Sequence, residues 1–329
     1  MKKLFLVLIS SLLLISNLYA QSFSYEEFVN KYNEASILYS QKKYVESIKI
    51  LDQLVVDDFA LQYPSVFLSR ALALNYIGKY EEAKKDIEKC IELQPYALKP
   101  IFVRSMISIG LKEYNKALDD INYCLDKNPD WADAYHQKGI IYLNEKKYPE
   151  ALKCFDDALI SSSGNYKAEY FSDRAFAYYY MNKLTDAKND FLYSLTLGEN
   201  DNVYLCLIDI CYKTNQYEEG LKYADTLIEN KRCLESAVIE RSYIYLSQDR
   251  YDEVKRDLDL ISKTAYSNSS FHKVKCIYYI LTDDFAVAKE EIKLAQTLNP
   301  TDEDVILLLD ILNNPTKIDK QNIKNLTKL

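Results

Sequence analysis

Apolar and small residues recur at helical spacing along the chain, in a pattern that returns about every 34 residues. The segment KKYPEAL around Tyr148 comes back as KKYVESI, GKYEEAK, KEYNKAL, NKLTDAK, NQYEEGL, DRYDEVK and DDFAVAK. The third residue of each segment serves as its anchor, and successive anchors are separated by 36, 34, 34, 36, 33, 34 and 34 residues. Eight matches at nearly constant spacing indicate an internal structural repeat.

Each copy of the repeat predicts two helices joined by a tight turn. After the anchor, offsets of three, seven and ten residues carry small or apolar side chains, as at Ala151, Phe155 and Ala158, and these offsets share one helical face. Before the anchor, a small residue nine positions upstream and an aromatic six upstream, as at Gly139 and Tyr142, indicate another helix. Such a pair cannot bury both faces alone, so neighbouring copies are expected to stack.

The pattern resembles the tetratricopeptide repeat, and the resemblance implies an all-α, right-handed superhelical solenoid of about eight repeats. We expect residues 21–300 to form this solenoid, and DVILLLDILNN within residues 301–329 resembles the capping helix of such arrays, followed by a tail. The copy around Tyr217 departs most from the pattern, with Ile208 and Cys211 in first-helix columns. The fourth copy carries the resemblance at Tyr135, Gly139, Tyr142, Tyr148, Ala151, Phe155 and Ala158.

The first twenty residues have the layout of a secretory signal peptide. Lys2 and Lys3 precede the apolar run LFLVLISSLLLIS, and a small residue, Ala20, stands at the expected cleavage site. We therefore expect residues 1–20 to be removed and the protein to be exported, either periplasmic or secreted. An uncleaved anchor is the alternative, but the run is shorter than the roughly 20 apolar residues of a membrane span. No later segment predicts an integral span.

Charge and residue usage argue against several classes of function. Removal of residues 1–20 leaves 39 basic against 49 acidic residues, a net charge of −10, which disfavours nucleic acid as a partner. The two histidines, His136 and His272, lie four copies apart, so no metal site can use both. Glycine-rich phosphate loops are absent from the sequence, and we expect neither a cofactor nor an enzyme.

The seven cysteines show no CxxC spacing. Cys90 and Cys124 occupy the same small-residue column of successive copies, and we expect them to be buried free thiols. The sequence does not decide whether Cys206 and Cys233 form a disulfide.

Basic and acidic residues vary together between copies. A base ten residues before the anchor occurs in the copies that carry an acid six residues after it, except that Lys138 has Cys154 opposite. We predict ion pairs between the two helices, within a copy or to the next one; the alternative is two solvated faces that agree by chance. The bases are Arg70, Arg104, Lys138, Arg174, Arg241 and Lys275, and the acids are Asp86, Asp120, Asp190, Asp257 and Glu291.

By the resemblance, the first helices line a concave groove that holds a protein or peptide ligand. Offsets of twelve, eight and five residues before the anchor give an apolar and aromatic stripe along this groove. The alternative is that these side chains pack against neighbouring first helices. The sequence thus favours an exported, non-enzymatic scaffold for protein–protein interaction, with binding of a cell-envelope component such as a glycan strand as the alternative function. The predicted groove residues are Leu68, Leu72, Phe102, Met106, Ile109, His136, Ile140, Phe176, Tyr179, Tyr212 and Tyr243.

Overall fold

The computed structural model of the protein describes residues 23–314, 319–321 and 323. Over these residues it contains seventeen α-helices and two short 3-10 helices, and no strand. The predicted signal peptide, residues 1–20, lies outside the described residues. The chain forms two compact units, the first ending at Tyr166 and the second beginning at Lys167.

The first unit is a stack of four helix pairs. The two helices of each pair pack together, and the first helices α1, α3, α5 and α7 also pack on one another in succession. The helices are α1 (Tyr25–Ser40), α2 (Tyr44–Leu54), α3 (Ser65–Tyr76), α4 (Tyr80–Leu93), α5 (Leu98–Gly110), α6 (Tyr114–Lys127), α7 (Ala132–Asn144) and α8 (Tyr148–Ser161), with a 3-10 helix at Asp58–Leu61.

The second unit contains four more pairs and a final helix that packs on α16. Here α13 lies between α11 and α15 and packs on both. The helices are α9 (Ala168–Tyr180), α10 (Leu184–Leu197), α11 (Asp201–Lys213), α12 (Tyr217–Glu229), α13 (Leu234–Ser247), α14 (Tyr251–Ile261), α15 (Ser269–Leu281), α16 (Phe285–Leu298) and α17 (Glu303–Asn313), with a 3-10 helix at Ala265–Ser267.

The repeat columns form the core of each pair. In the fourth copy Ala151, Phe155 and Ala158 are fully buried. A Cβ atom on Gly139 would lie 2.4 Å from the Phe155 ring, so glycine allows the first helix to approach the second. The predicted all-α fold of stacked helix pairs is confirmed.

The turn inside each pair has one backbone conformation in all eight copies. The residue two before the anchor has a positive φ angle; seven of these residues are not glycine, and Gly78 is the eighth. The next amide donates to the carbonyl five residues back, as from Lys147 to Tyr142 at 2.9 Å, a Schellman-type bond that caps the first helix. The residues with positive φ are Lys42, Gly78, Lys112, Lys146, Asn182, Asn215, Asp249 and Asp283.

The five predicted base–acid pairs form, each between the two helices of one copy. Arg70 donates two hydrogen bonds of 2.7 Å to Asp86, and Arg174 donates two of 2.7 and 2.8 Å to Asp190. The pairs Arg104–Asp120, Arg241–Asp257 and Lys275–Glu291 repeat this arrangement.

The preceding copy adds partners to this series. Arg70 also bonds to Asp52 at 2.9 Å, and Arg241 bonds to Asp225 at 2.6 Å. Lys138, which lacks an acid in its own copy, donates to Asn122 at 2.8 Å. These ion pairs and hydrogen bonds therefore connect neighbouring helix pairs, in addition to the two helices within one pair.

All seven cysteines are free. Cys90 and Cys124 are buried as expected, while Cys206 is half-buried and Cys233 is exposed. The pairing of Cys206 with Cys233 left open by the sequence does not occur.

Among the described residues, the structure has no helix that combines the length and apolar character needed to cross a membrane.

Candidate ligand-binding face of the first helices

In the first unit, the predicted groove residues contribute both to the packing of the helices and to the surface. Leu68, Leu72, Met106 and Ile109 are half-buried and pack against the core of the unit. These contacts are those of first helices stacked on one another, so only part of each side chain is open to a ligand.

Phe102 is the most buried of this group, at 6% exposure. Its ring stacks on Trp131 at 4.7 Å, and the Lys99 ammonium lies 5.3 Å from the ring centre. Trp131 precedes α7 and joins it to α5 by this contact. His136 and Ile140 on α7 are half-buried, and the His136 ring lies 5.7 Å from that of Phe155.

In the second unit, the predicted aromatic residues fall into two environments. Tyr212 is 2% exposed and belongs to the core, so it offers little surface to a ligand. Phe176 packs edge-on against Phe191 at 5.1 Å and is half-buried. Tyr179 and Tyr243 are half-buried, and both stand beside charged groups.

Tyr179 takes part in a polar triad that links α9 to α11. Its hydroxyl donates to Asp209 Oδ2 at 2.5 Å and accepts from Lys213 Nζ at 2.8 Å. Lys213 Nζ also lies 3.3 Å from Asp209 Oδ2. Burial, together with the hydrogen bond to Asp209, raises the pKa of Tyr179, so the hydroxyl stays protonated and remains a donor.

Glu240 on α13 is the unusual member of this surface. Its side chain is half-buried on a first helix. Within the part of the chain that the structure describes, its carboxylate has no hydrogen bond and no ion pair. Burial raises the pKa of Glu240 to about 7, and the charge of Asp209 adds to this, while Lys273 and Lys213 oppose it.

The two lysines near Glu240 are already engaged by other acids. Lys213 contacts Asp209, and Lys273 on α15 contacts Asp304 at 2.9 Å and Asp302 at 3.3 Å. The acids that hold Lys273 lie at the start of α17. Asp209, Lys213 and Lys273 therefore act on Glu240 through their charges and not through a contact with its carboxylate.

The sequence stripe contained Tyr179 and Asp209 but not Glu240. Tyr179 lies five residues before its anchor and Asp209 eight before, both within the stripe, whereas Glu240 lies eleven before Tyr251 and falls outside it. A charged residue one position away from the stripe column at offset twelve was the available signal. The pKa of Glu240 depends on burial and on charged groups of α11 and α15, which the sequence of its own repeat does not contain.

The structure does not assemble a metal centre from the residues it describes. His272 is 1% exposed; its Nδ1 lies 2.6 Å from Glu291 Oε2 and its Nε2 lies 2.8 Å from the Tyr266 carbonyl oxygen. Both ring nitrogens are therefore used in packing α15 within the second unit.

Comparison with known proteins bears on the fold. The family model for the tetratricopeptide repeat matches residues 64–96 and 132–159. No curated protein matches the chain.

Two solved structures with similar folds have low sequence identity to the chain. The crystal structure of the APC/C hetero-tetramer Cut9–Hcn1 aligns with a TM-score of 0.63 and 11% identity, over 85% of this chain and 54% of that one. The chain therefore spans about half the length of that relative. A structure of pilF from Pseudomonas aeruginosa aligns with a TM-score of 0.51 and 16% identity, over 77% of this chain and 98% of that one. The chain contains tetratricopeptide repeats, and it has the all-helical fold of tetratricopeptide-repeat arrays.

Proposed function

We propose that the protein is an exported, non-enzymatic scaffold that binds another protein through the side of its first helices that carries the predicted groove residues. The observation that carries this proposal is the contrast between the two helices of a repeat. Acids of the second helices, such as Asp86 and Asp190, are paired with arginines of the first helices. The groove side of the first helices keeps half-buried aromatic and apolar groups and, at Glu240, a carboxylate with no hydrogen bond or ion pair to any residue that the structure describes.

Partly exposed apolar and aromatic groups beside fixed polar groups are typical of surfaces that bind a protein segment. Ile140 in the first unit and Tyr243 in the second have this character, since each is half-buried on a first helix. The Cut9–Hcn1 structure is itself an assembly of different chains, which supports the same kind of role for a related fold.

Site-specific photo-crosslinking tests the binding surface. A photoreactive amino acid replaces Ile140 or Tyr243 in the protein expressed in its own cells, and the matched controls replace the exposed Tyr96 or Tyr193 on other surfaces. We expect protease-sensitive adducts of one defined mass at the first-helix positions and none at the controls. Adducts from the controls alone would refute the proposed surface. An adduct removed by glycan hydrolases, but not by proteases, would support the envelope-glycan function instead.

Export is tested separately by amino-terminal sequencing of the protein recovered outside the cytoplasm. We expect the mature chain to begin at Gln21. Recovery only from the cytoplasm, with residues 1–20 intact, would refute export and leave the scaffold proposal standing.

A further inference from the structure

We propose that a cavity between α14 and α15 binds the guanidinium group of an arginine side chain that belongs to a partner protein. The cavity has a volume of about 220 Å³, against roughly 30 Å³ for one water molecule, so it has room for this planar group and part of its alkyl chain. It lies where two successive repeats meet, and it is additional to the first-helix surface proposed above.

A base of one repeat bonds to a polar residue of the preceding repeat at several of these junctions. Asp259 and Glu88 occupy the column of that polar residue, eight positions after the anchor, but their carboxylates make no hydrogen bond or ion pair with any described residue. Of the two, Asp259 lines the cavity. The bonded pairs are Arg70–Asp52 at 2.9 Å, Lys138–Asn122 at 2.8 Å and Arg241–Asp225 at 2.6 Å.

The base that follows Asp259 is a lysine, Lys275. An arginine has a fork of donors that reaches two acids, whereas a lysine donates from a single nitrogen. Arg241 accordingly bonds to one acid of its own repeat and one of the preceding repeat. Lys275 Nζ bonds to Glu291 of its own repeat, and no bond joins it to Asp259. The guanidinium group that an arginine would place beside Asp259 is therefore missing from this junction.

Aromatic rings of α15 supply part of the cavity wall. Tyr278 and Tyr279 are half-buried, with ring centres 5.1 Å apart and ring planes at 70°. Phe271 also lines the cavity, but the Lys275 ammonium already lies 5.3 Å from the centre of its ring. A guanidinium group is planar and stacks on aromatic faces, so the tyrosine rings and the Asp259 carboxylate together suit this ligand.

The charges around the cavity admit a cation. Lys275 is compensated by Glu291. Lys255, which also lines the cavity, is exposed, so salt screens its charge and it opposes a cationic ligand only weakly. The mature chain's net charge of −10 acts in favour of a basic partner.

The test uses arginine blocked at both ends, as its N-acetyl amide, and the corresponding citrulline compound as a neutral molecule of the same shape. Binding of each compound to the full mature chain is measured by ligand-observed NMR. We expect the arginine compound to bind and the citrulline compound not to bind. Equal binding of the two compounds, or no binding of the arginine compound, would overturn the inference.

Lys275→Arg supplies an internal guanidinium group beside Asp259, so we expect this variant to lose binding while its thermal unfolding temperature stays unchanged or rises. Asp259→Asn should weaken binding about fivefold, and Lys255→Gln should strengthen it about twofold. Asp186→Asn, at an exposed position of α10, is the charge-matched control and should bind as the unmodified protein does. Unchanged binding by Lys275→Arg, or weaker binding by Lys255→Gln, would overturn the inference. Thermal unfolding confirms that each variant is folded.

Photo-crosslinking separates a protein partner from a small guanidinium compound. A photoreactive amino acid replaces Ser262, an exposed residue that lines the cavity. We expect a protease-sensitive adduct that excess N-acetyl-arginine amide suppresses and that Lys275→Arg abolishes. Binding of the arginine compound without such an adduct would overturn the assignment to a protein.

The first-helix surface stands or falls separately. Adducts at Ile140 and Tyr243, together with no binding of the arginine compound, would reject the cavity and retain that surface. Arginine binding and an adduct at Ser262, with no adduct at Ile140 or Tyr243, would support the cavity and reject that surface.

Discussion

Arg104 and Asp120 face each other across the two helices of one repeat, sixteen residues apart in sequence. Arg104 Nε and Nη2 donate to the two carboxylate oxygens of Asp120 at 2.8 and 2.6 Å, a bidentate geometry. Asp120 is 8% exposed, so its charge depends on the arginine for compensation. The same relationship in other copies makes this ion pair a structural element of the repeat.

Replacement of Arg104 by alanine should destabilise the protein because it leaves the Asp120 carboxylate buried without its main partner. Full burial would cost about 3–5 kcal/mol, and partial exposure of the arginine reduces this to about 2 kcal/mol. The measurement is the free energy of unfolding in urea. Lys138→Ala is the control, since Lys138 has Cys154 opposite and, among the described residues, bonds to Asn122 alone; it should cost less than about 1 kcal/mol. Equal losses would contradict a buried ion pair.

The turn within each pair offers a test in both directions. Lys146 has a φ of +61°, a conformation that costs a non-glycine residue energy, so Lys146→Gly should stabilise the protein by about 0.5–1 kcal/mol. Gly78 has the same role with a φ of +77°, and open space surrounds the position of a Cβ atom. Gly78→Ala should therefore cost about 1 kcal/mol through backbone strain alone. Chemical denaturation measures both, and changes of the same sign would contradict this account.

The repeat spacing predicted the helices closely. Every second helix begins at its anchor, from Tyr44 and Tyr80 through Phe285. The covariation of Arg104 with Asp120, and of its counterparts in other copies, predicted the ion pairs, because both members occupy fixed columns. Periodicity gives this information because the same columns of residues make the contacts between the two helices in every repeat.

Two features were not predictable from single residues. Lys146 itself gives no sign of its positive φ, which accompanies the hydrogen bond between Lys147 and Tyr142; the sign lay in the other copies, five of which have glycine, asparagine or aspartate in this column. The character of Glu240 arises from charges on two other helices, at Asp209 and Lys273, which a single repeat does not contain. Local pattern therefore determined the fold, whereas the candidate site required the positions of side chains from several repeats.

Gly139 provides a test of the helix–helix approach. An alanine Cβ there would lie 2.4 Å from the Phe155 ring, so Gly139→Ala should destabilise the protein by about 1–3 kcal/mol. Phe155→Leu in the same chain should recover part of this loss by making room. Gly198→Ala is the control: the nearest atom would be the Ala168 Cβ at 3.7 Å, and its extended backbone suits any residue. Similar losses for the two alanine variants would contradict the steric explanation.

Glu240 should destabilise the folded protein at neutral and alkaline pH. Its folded-state pKa of about 7 lies above the unfolded value, so below the unfolded pKa the carboxyl is protonated in both states and has no effect. As the pH rises through this interval the unfolded state loses its proton first, stability falls, and the loss is complete above the folded pKa. Glu240→Gln removes this effect and should stabilise the protein by about 1–3 kcal/mol near pH 8, with almost no change near pH 4.

Chemical denaturation of Glu240→Gln and Glu290→Gln across this pH range measures the difference. Glu290 is exposed, so its replacement should leave the pH profile of stability unchanged. A profile for Glu240→Gln that parallels the unmodified protein would show that the carboxylate is solvated, and would contradict the raised pKa of Glu240.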